Sequence, residues 1–249
     1  MLGPSAHTDT FTRDNLPPAD QWPDLILDRP EFQYPEYINV GVELTDRMVQ
    51  RGFGDNTALI GNGRQRTYKE LTDWTNRLAH ALVEDYGLEP GNRVLIRSGN
   101  NPAMVAIWLA VTKAGGVAVN TMPMLRAVEL AKIVDKAEIK LALTDSRMAD
   151  ELVACAKDNK FLQQVINFDG TANHDSKLDR IALNKSVKFQ AVKTGRDDVA
   201  LLGFTSGTTG SPKATMHFHR DILAIADGYA ANILKVTPED VFVGAPPLA

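Results

Sequence analysis

The sequence predicts an α/β fold whose main element is a mainly parallel sheet covered by helices on both faces. Between residues 93 and 168, short apolar runs alternate with longer segments in which apolar residues recur at helical spacing. This alternation is typical of βαβ units, in which parallel strands are joined by helices. At 249 residues, 44% of them hydrophobic and 23% charged, the chain has enough apolar material to bury such a sheet.

Residues 1–40 are predicted to form an irregular wrapping segment. Prolines are concentrated there, and proline fixes φ and removes an amide donor, which disfavours both helix and central strand. Aromatic residues are interleaved with these prolines. We therefore expect the segment to lie across a surface of the protein. The apolar spacing over residues 42–50 then predicts a short helix.

A β-hairpin followed by a helix is predicted next. Gly61-Asn62-Gly63 separates two strand-like runs, at 57–60 and 64–68, and these residues tolerate the positive φ of a tight turn. Thr67 and Glu70 match a capping box, in which two side chains satisfy the first free amides of a helix. The predicted helix ends near Gly87. Its apolar face carries Leu71, Trp74, Leu78 and Leu82.

Residues 41–168 are predicted to contain the βαβ region. Because helical connections return parallel strands to one sheet, we expect its four strands to share a sheet. The predicted strands are 93–97, 117–120, 139–144 and 164–168, and the predicted helices are 102–114, 126–136 and 147–157.

The C-terminal part of the chain is less regular. Residues 169–197 are polar and mostly unpatterned, so they are predicted to form a connection. A fully apolar strand is predicted at 199–204, and one more strand is expected to begin at 241–243. Between them the pattern predicts a last helix. Its marker residues are Ile222, Ile225, Tyr229 and Ile233.

Charge and cysteine content exclude several classes of function. The net charge of −4, with scattered lysines and arginines, provides no basic surface for nucleic acid or for an anionic membrane. Neither a signal peptide nor an apolar run of about 18 residues is present. The single cysteine, Cys155, lies at helical spacing from Leu152 and Met148 and is predicted to be buried. These features predict a cytoplasmic protein.

The most informative segment is Thr205 to Lys213, which reads TSGTTGSPK. Its glycines let backbone amides converge on one anion, its hydroxyls add donors, and Lys213 adds a compact positive charge. This chemistry suits a polyphosphate, although the composition alone also fits a solvated loop. Walker A, dinucleotide-binding and nucleophile-elbow motifs do not match, because a required glycine or serine is missing or displaced in each.

Thr205 to Lys213 resembles the signature loop of the adenylate-forming (AMP-binding) enzymes, which include acyl- and aryl-CoA synthetases. Thr67 to Leu71 resembles the first core motif of this family, and Lys113 to Val117 resembles the second. Residues 9–18 and 122–130 are most similar to the corresponding parts of benzoate- and 2-aminobenzoate-CoA ligases. The resemblance covers nearly the whole chain.

This resemblance implies that residues 1–249 are the N-terminal part of the family's AMP-binding large domain. Residues 198–249 would be its phosphate-loop region, and the chain would be truncated after it. The implied activity joins ATP and a carboxylic acid, here an aromatic one, into an acyl-adenylate, which the thiol of CoA then attacks. Mg²⁺ would accompany ATP, and the chain alone would be inactive. The implied contacts to the β- and γ-phosphates are Thr205, Ser206, Gly207, Thr208, Thr209, Gly210 and Lys213.

Two other polar clusters are predicted to be structural. His217 and His219 have no evident third metal ligand or orienting partner, so His219 is expected to start the following helix. Ser98 to Asn101 follows a strand, where α/β proteins bind ligands, but we expect it to be a turn that caps the helix at Pro102.

Alternative functions fit the same residues. One is a related enzyme that uses a fatty acid or a carrier-protein thiol. The other is a non-catalytic nucleotide-binding module. The identity of the acid and the oligomeric state are not encoded in these motifs.

Overall fold

A six-stranded sheet lies between helices on its two faces, and a separate two-stranded hairpin lies beside it. The computed structural model describes residues 2–171, 175–205, 212–244 and 246–248. Within these ranges no helix combines the length and apolarity that crossing a membrane requires. The predicted α/β class is confirmed.

The proline-rich N-terminal segment is irregular apart from short helix α1 (Phe11–Asp14) and two single 3₁₀ turns. It lies against the end of the sheet. The amides of Thr8 and Asp9 donate to the carbonyl of Pro90 at 3.1 and 3.0 Å. Asp9 also pairs with the buried guanidinium of Arg93 at 2.5 Å. The segment is therefore fixed at several points along its length.

The helix predicted over 42–50 is broken into two parts, α2 (Val40–Glu43) and α3 (Asp46–Met48), the second continuing as a π-type turn at Val49–Phe53. The prediction of one continuous helix was wrong because Thr45 leaves the helical region, with φ −129° and ψ −83°. Its hydroxyl donates to the carbonyl of Gly41 at 2.5 Å. Such side-chain bonds to the backbone compete with helix continuation.

The predicted hairpin and capped helix are confirmed. Strands β1 (Thr57–Gly61) and β2 (Arg64–Thr67) pair antiparallel across Asn62 and Gly63, whose φ values are 54° and 70°. Helix α4 (Tyr68–Glu84) then starts at the capping box. The Thr67 amide donates to Glu70 at 2.9 Å, and the Glu70 amide donates to the Thr67 hydroxyl at 3.2 Å.

The four predicted βαβ strands lie in one sheet, as expected. The strand predicted at 139–144 begins two residues later, at Leu141. Glu138 adopts the left-handed conformation (φ 49°), and the Ile139 amide still bonds to the Val134 carbonyl at the end of the preceding helix. The elements of this region are β3 (Arg93–Arg97), α5 (Pro102–Lys113), β4 (Val117–Thr121), α6 (Ala127–Ala137), β5 (Leu141–Asp145), α7 (Ala149–Asp158) and β6 (Gln164–Phe168).

The connection at 169–197 contains helix α8 (Lys177–Leu183), which was not predicted. Ser176 caps it by accepting from the amide of Asp179 at 3.1 Å. Leu178 and Ala182 are buried in the same cluster as α4. The Ser-x-x-Asp spacing was a signal for this helix start, but two buried positions were too few to show a period.

Strand β7 (Val199–Thr205) pairs antiparallel with β8 (Lys213–Phe218), and helix α9 (His219–Ile225) continues as a π-type helix to Leu234. The strand order is β6-β5-β3-β4-β7-β8, parallel except for β8. The prediction of a strand beginning at 241–243 was wrong. Those residues are 68–93% exposed and pair with no strand in the described part of the chain.

Most of the core that the structure describes lies in two large clusters, one on each face of the sheet, and a third, small cluster contains Val40 and Leu223. On β3, Val94 and Ile96 point into one cluster and Leu95 points into the other. This is the alternation that a strand covered on both faces requires. Helices α4, α5 and α8 cover the first face, and α6 and α7 cover the second. Cys155 lies in the second cluster, as predicted, and burial raises the pKa of its thiol.

Lys113, at the end of α5, is fully buried and forms an ion pair with Asp46 of α3. Its ammonium also donates to the side-chain oxygen of Asn76 on α4 at 2.5 Å. Burial lowers the pKa of Lys113, and the neighbouring Asp46 opposes that shift. Gly41 allows the close approach, since a Cβ there would lie 2.6 Å from the Lys113 side chain. One lysine thus ties α3, α4 and α5 together.

We predict that Asp46→Ala destabilises the protein strongly, by about 3–5 kcal/mol, because it leaves the charge of Lys113 buried without its carboxylate. The free energy of unfolding in urea measures this effect. Asp73→Ala is the control, since it removes an aspartate that pairs with the exposed Lys69 and should change stability little. Asp46→Ala/Lys113→Met should recover most of the loss. If Asp46→Ala and Asp73→Ala lowered the free energy of unfolding equally, this role of Lys113 would be contradicted.

Candidate phosphate-binding site

The two ends of the predicted phosphate loop are the last residue pair of the β7–β8 hairpin. Thr205 lies directly opposite Lys213 in the antiparallel ladder, and such opposed residues have Cα atoms about 4.5–5.5 Å apart. Both side chains are exposed. The remaining predicted contacts, Ser206, Gly207, Thr208, Thr209 and Gly210, lie outside the described residues. The loop is therefore closed at its base by strand pairing, which the sequence reading had not predicted.

This hairpin opens at the carboxyl edge of the parallel strands. Strands β4 and β7 run parallel, with Ala118 opposite Leu201, so Thr121 and Thr205 end on the same side of the sheet. Strands β3 and β5 end there too. In open α/β sheets, ligands bind outside the carboxyl ends of the strands. The position of the loop agrees with that rule.

The two faces of β8 differ in chemistry. One face carries every second residue of the strand, namely Lys213, Thr215 and His217. The Thr215 hydroxyl lies 3.0 Å from Nε2 of His217. Gly203 lies opposite Thr215, where an added Cβ would approach its hydroxyl to 2.9 Å. A polar row of three side chains therefore leads away from Lys213 along the strand.

The other face of β8 packs against the N-terminal segment. Ala214, Met216 and Phe218 belong to the second core cluster, and the rings of Phe218 and Trp22 are 5.8 Å apart. A mainly apolar cavity of about 730 Å³ lies between this segment and the hairpin, and Lys213 is at its border. The hairpin is thus supported on one face and polar on the other.

Two asparagines hold residues 246–248 over the same edge of the sheet. The amide group of Asn100 donates to the carbonyl of Pro246 at 2.8 Å and accepts from the amide of Leu248 at 2.9 Å. Asn120, near the end of β4, donates to the Leu248 carbonyl at 2.7 Å. Sequence reasoning missed both contacts, because no local pattern connects residues so far apart in the chain.

The turn at Ser98 to Asn101 has the structural role that the simpler interpretation predicted. Asn101 caps α5 by accepting from the amide of Met104 at 2.9 Å. Its own amide donates to the Ser98 hydroxyl at 2.7 Å and to the Gly99 carbonyl at 2.9 Å. The side-chain oxygen and the side-chain amide of Asn101 are thus both hydrogen-bonded within the turn and its helix.

His219 is structural, as predicted. It is fully buried at the first position of α9, and its Nδ1 accepts from the amide of Val40 at 3.1 Å. Burial, with a smaller contribution from His7, lowers the pKa of His219 to about 3. The side chain is therefore neutral at physiological pH and is a poor candidate for acid–base chemistry.

The described ranges contain no group of three or more His, Cys, Asp or Glu side chains placed to hold a metal ion.

Comparison with known proteins identifies the class to which this fold and loop belong. The AMP-binding enzyme family matches residues 47–249, so the chain belongs to that family. Acid–CoA ligases are among its curated relatives. A 3-hydroxybenzoate–CoA/4-hydroxybenzoate–CoA ligase of Thauera aromatica is 29% identical over 84% of this chain and 40% of the relative. A medium-chain fatty-acid–CoA ligase of Escherichia coli is 31% identical over 81% of this chain and 37% of the relative.

Solved structures share the fold. An anthranilate CoA ligase, AuaEII, in complex with anthranoyl-AMP superposes with a TM-score of 0.73 at 20% identity, covering 82% of this chain and 38% of that one. ATP-bound MatB from Rhodopseudomonas palustris gives a TM-score of 0.63 at 26% identity, covering 77% and 38%. The chain thus spans about 40% of the length of the relatives it matches.

We predict that acid destabilises this protein partly through His219. Its pKa is lowered in the folded state, so the unfolded state binds a proton first. The stability contributed by neutral His219 is therefore fully present above about pH 6.5 and is lost as the pH falls towards 3. The melting temperature, measured from pH 8 to pH 4, reports this loss.

His219→Asn is the informative variant, because its side-chain oxygen can accept from Val40 but cannot be protonated in this range. We expect a flatter pH dependence than in the wild type. A residual slope remains, since burial also lowers the pKa of His7. A slope as steep as that of the wild type would rule out His219 as the titrating group.

Proposed function

We propose that the whole protein to which this chain belongs is an AMP-forming carboxylate–CoA ligase, and that this chain carries its phosphate loop. The observation that supports this most directly is the closure of Thr205 to Lys213 by the β7–β8 ladder at the carboxyl edge of the sheet. Family membership over residues 47–249 agrees with it. The proposed contacts to the β- and γ-phosphates of ATP are Thr205, Ser206, Gly207, Thr208, Thr209, Gly210 and Lys213.

The proposed role of the loop is to stabilise charge on the departing pyrophosphate. When a carboxylate attacks the α-phosphorus of ATP, an acyl-adenylate forms and negative charge develops on pyrophosphate. Backbone amides, hydroxyls and the ammonium of Lys213 stabilise that charge where it appears. Mg²⁺ would be carried by the nucleotide. CoA thiol then displaces AMP from the acyl-adenylate to complete the ligation.

An aromatic carboxylic acid is the proposed substrate. The resemblance of residues 9–18 and 122–130 to benzoate- and 2-aminobenzoate-CoA ligases supports it, as does the hydroxybenzoate–CoA ligase among the relatives. A fatty acid is the second candidate, because the medium-chain fatty-acid–CoA ligase has a similar identity to this chain, 31% against 29%.

We predict that Lys213→Ala weakens pyrophosphate binding to this chain by about 10- to 100-fold, the effect of losing one charge-assisted hydrogen bond. Isothermal titration calorimetry measures the affinity. Lys157→Ala removes an exposed lysine from α7 and should leave the affinity unchanged. Equal affinities of Lys213→Ala and the wild type would argue against the proposed loop.

The activity itself is tested by ATP–pyrophosphate exchange on the whole protein, with benzoate, 2-aminobenzoate and octanoate as acids. We expect exchange with the aromatic acids. Exchange with octanoate alone would favour the second candidate, and no exchange with any acid would favour a non-catalytic nucleotide-binding module. The 249-residue chain by itself should give none, since catalysis requires ATP and acid to be held together in attack geometry and the chain spans only 40% of its relatives.

A further inference from the structure

A second cavity, bordered by charges of both signs, lies away from the β7–β8 hairpin, between β2, α4 and α8. Its volume is about 250 Å³. Three arginines and three carboxylates border it, together with Trp74 and small apolar residues. The charged residues are Arg64, Arg66, Arg77, Glu70, Asp73 and Asp179.

Arg66 is the unusual member of this set. The residue is only 3% exposed, and its Nη1 is fully buried with no hydrogen-bond partner in the part of the chain that the structure describes. The guanidinium lies over the ring of Trp74, 5.1 Å from its centroid. Burial lowers the pKa of Arg66, the nearby charge of Arg64 lowers it further, and only Glu70 opposes these effects. A buried guanidinium normally has an acceptor.

The neighbouring carboxylates are engaged elsewhere. Glu70 accepts from Arg64 at 2.8 Å and from the Thr67 amide at 2.9 Å. Asp73 accepts from Lys69 at 2.9 Å.

The remaining charged groups of the cavity also have partners. Asp179 accepts from the Ser176 hydroxyl at 2.5 Å and from the Asp169 amide at 2.9 Å. Arg77 donates to the carbonyl of Lys185 at 2.8 Å. Nη1 of Arg66 is therefore a fully buried donor of this cavity that lacks an acceptor among the described residues.

We propose that this cavity binds a small tetrahedral oxyanion, of the phosphate or sulfate type, with Arg66 as the principal donor. A planar guanidinium presents paired N–H groups that match two oxygens of such an ion. Trp74 fixes the plane of Arg66, and Arg64 adds positive charge at the rim. The site shares no residue with Thr205 to Lys213, so it is distinct from the proposed ATP loop.

The experiment measures the melting temperature of the 249-residue chain against increasing phosphate or sulfate at constant ionic strength, with acetate and chloride as comparisons. We expect a saturable rise with phosphate and sulfate, and little rise with the planar acetate. Phosphate-31 NMR line broadening on the same samples reports binding directly. Neither a rise nor broadening at tens of millimolar phosphate would overturn the proposal.

Arg66→Met and Lys213→Ala separate this cavity from the ATP loop. Arg66→Met should abolish the phosphate-dependent rise, keep pyrophosphate binding, and melt no lower than the wild type in phosphate-free buffer, because it removes a buried donor that has no acceptor in the described part of the chain. Lys213→Ala should keep the phosphate-dependent rise while pyrophosphate binding weakens. A rise that Lys213→Ala abolishes and Arg66→Met retains would assign the anion to the loop and overturn the proposal.

Arg66→Lys provides a second variant that does not depend on the folding of Arg66→Met. A lysine keeps the positive charge but loses the paired donors, so phosphate affinity should fall about tenfold. Unchanged phosphate affinity in Arg66→Lys would also contradict the proposal.

Discussion

The packing of the N-terminal half depends on the contacts of one buried group, the ammonium of Lys113. It connects Asp46 and Asn76, which lie on different helices, at the point where α5 ends. Asn39 adds to the same junction, since its amide donates to the carbonyls of Thr112 and Val192 at 2.9 and 3.1 Å. Burying a charge is unfavourable unless it is paired and hydrogen-bonded. Helices α3, α4 and α5 must therefore all pack at this point for the charge of Lys113 to be stabilised. The close packing of α2 on α5 follows, and only a glycine at position 41 permits it.

The fixed ends of the strands explain why distant segments meet at one edge of the sheet. Parallel pairing places the carboxyl ends of β3, β4, β5 and β7 on the same side. The turn after β3, the end of β4 and the base of the phosphate loop are therefore neighbours through topology. Asn100 and Asn120 use that proximity to hold residues 246–248 there. The strand order alone therefore brings together, at this edge, the segments that would surround a polyphosphate.

Sequence periodicity predicted the elements whose burial follows a simple period. Strand β3 and helix α4 lie where the apolar residues recur, because β3 is buried on both faces and α4 buries one continuous face. Strand β8 was missed although polar and apolar residues alternate from Lys213 to Phe218, which is a strand signal. Its first residue, Lys213, had been assigned to the glycine-rich loop. The break at Thr45 accompanies the bond from its hydroxyl to the Gly41 carbonyl, which the spacing of apolar residues does not encode. For the candidate site, the motif predicted the residues of the loop. Local sequence encodes neither the ladder that closes the loop nor the burial of Arg66 Nη1 without an acceptor among the described residues.

The hairpin is anchored at the end opposite the loop. There the carboxylate of Asp198 accepts from the Ser5 hydroxyl and, at 2.9 and 2.8 Å, from the amides of Ala6 and Gly195. His219, at the start of α9, accepts from Val40 in the same region. Because these buried bonds fix one end, Thr205 and Lys213 can remain exposed at the other without loss of register. Substitutions at the anchored end should therefore act through stability, and substitutions at the open end through binding.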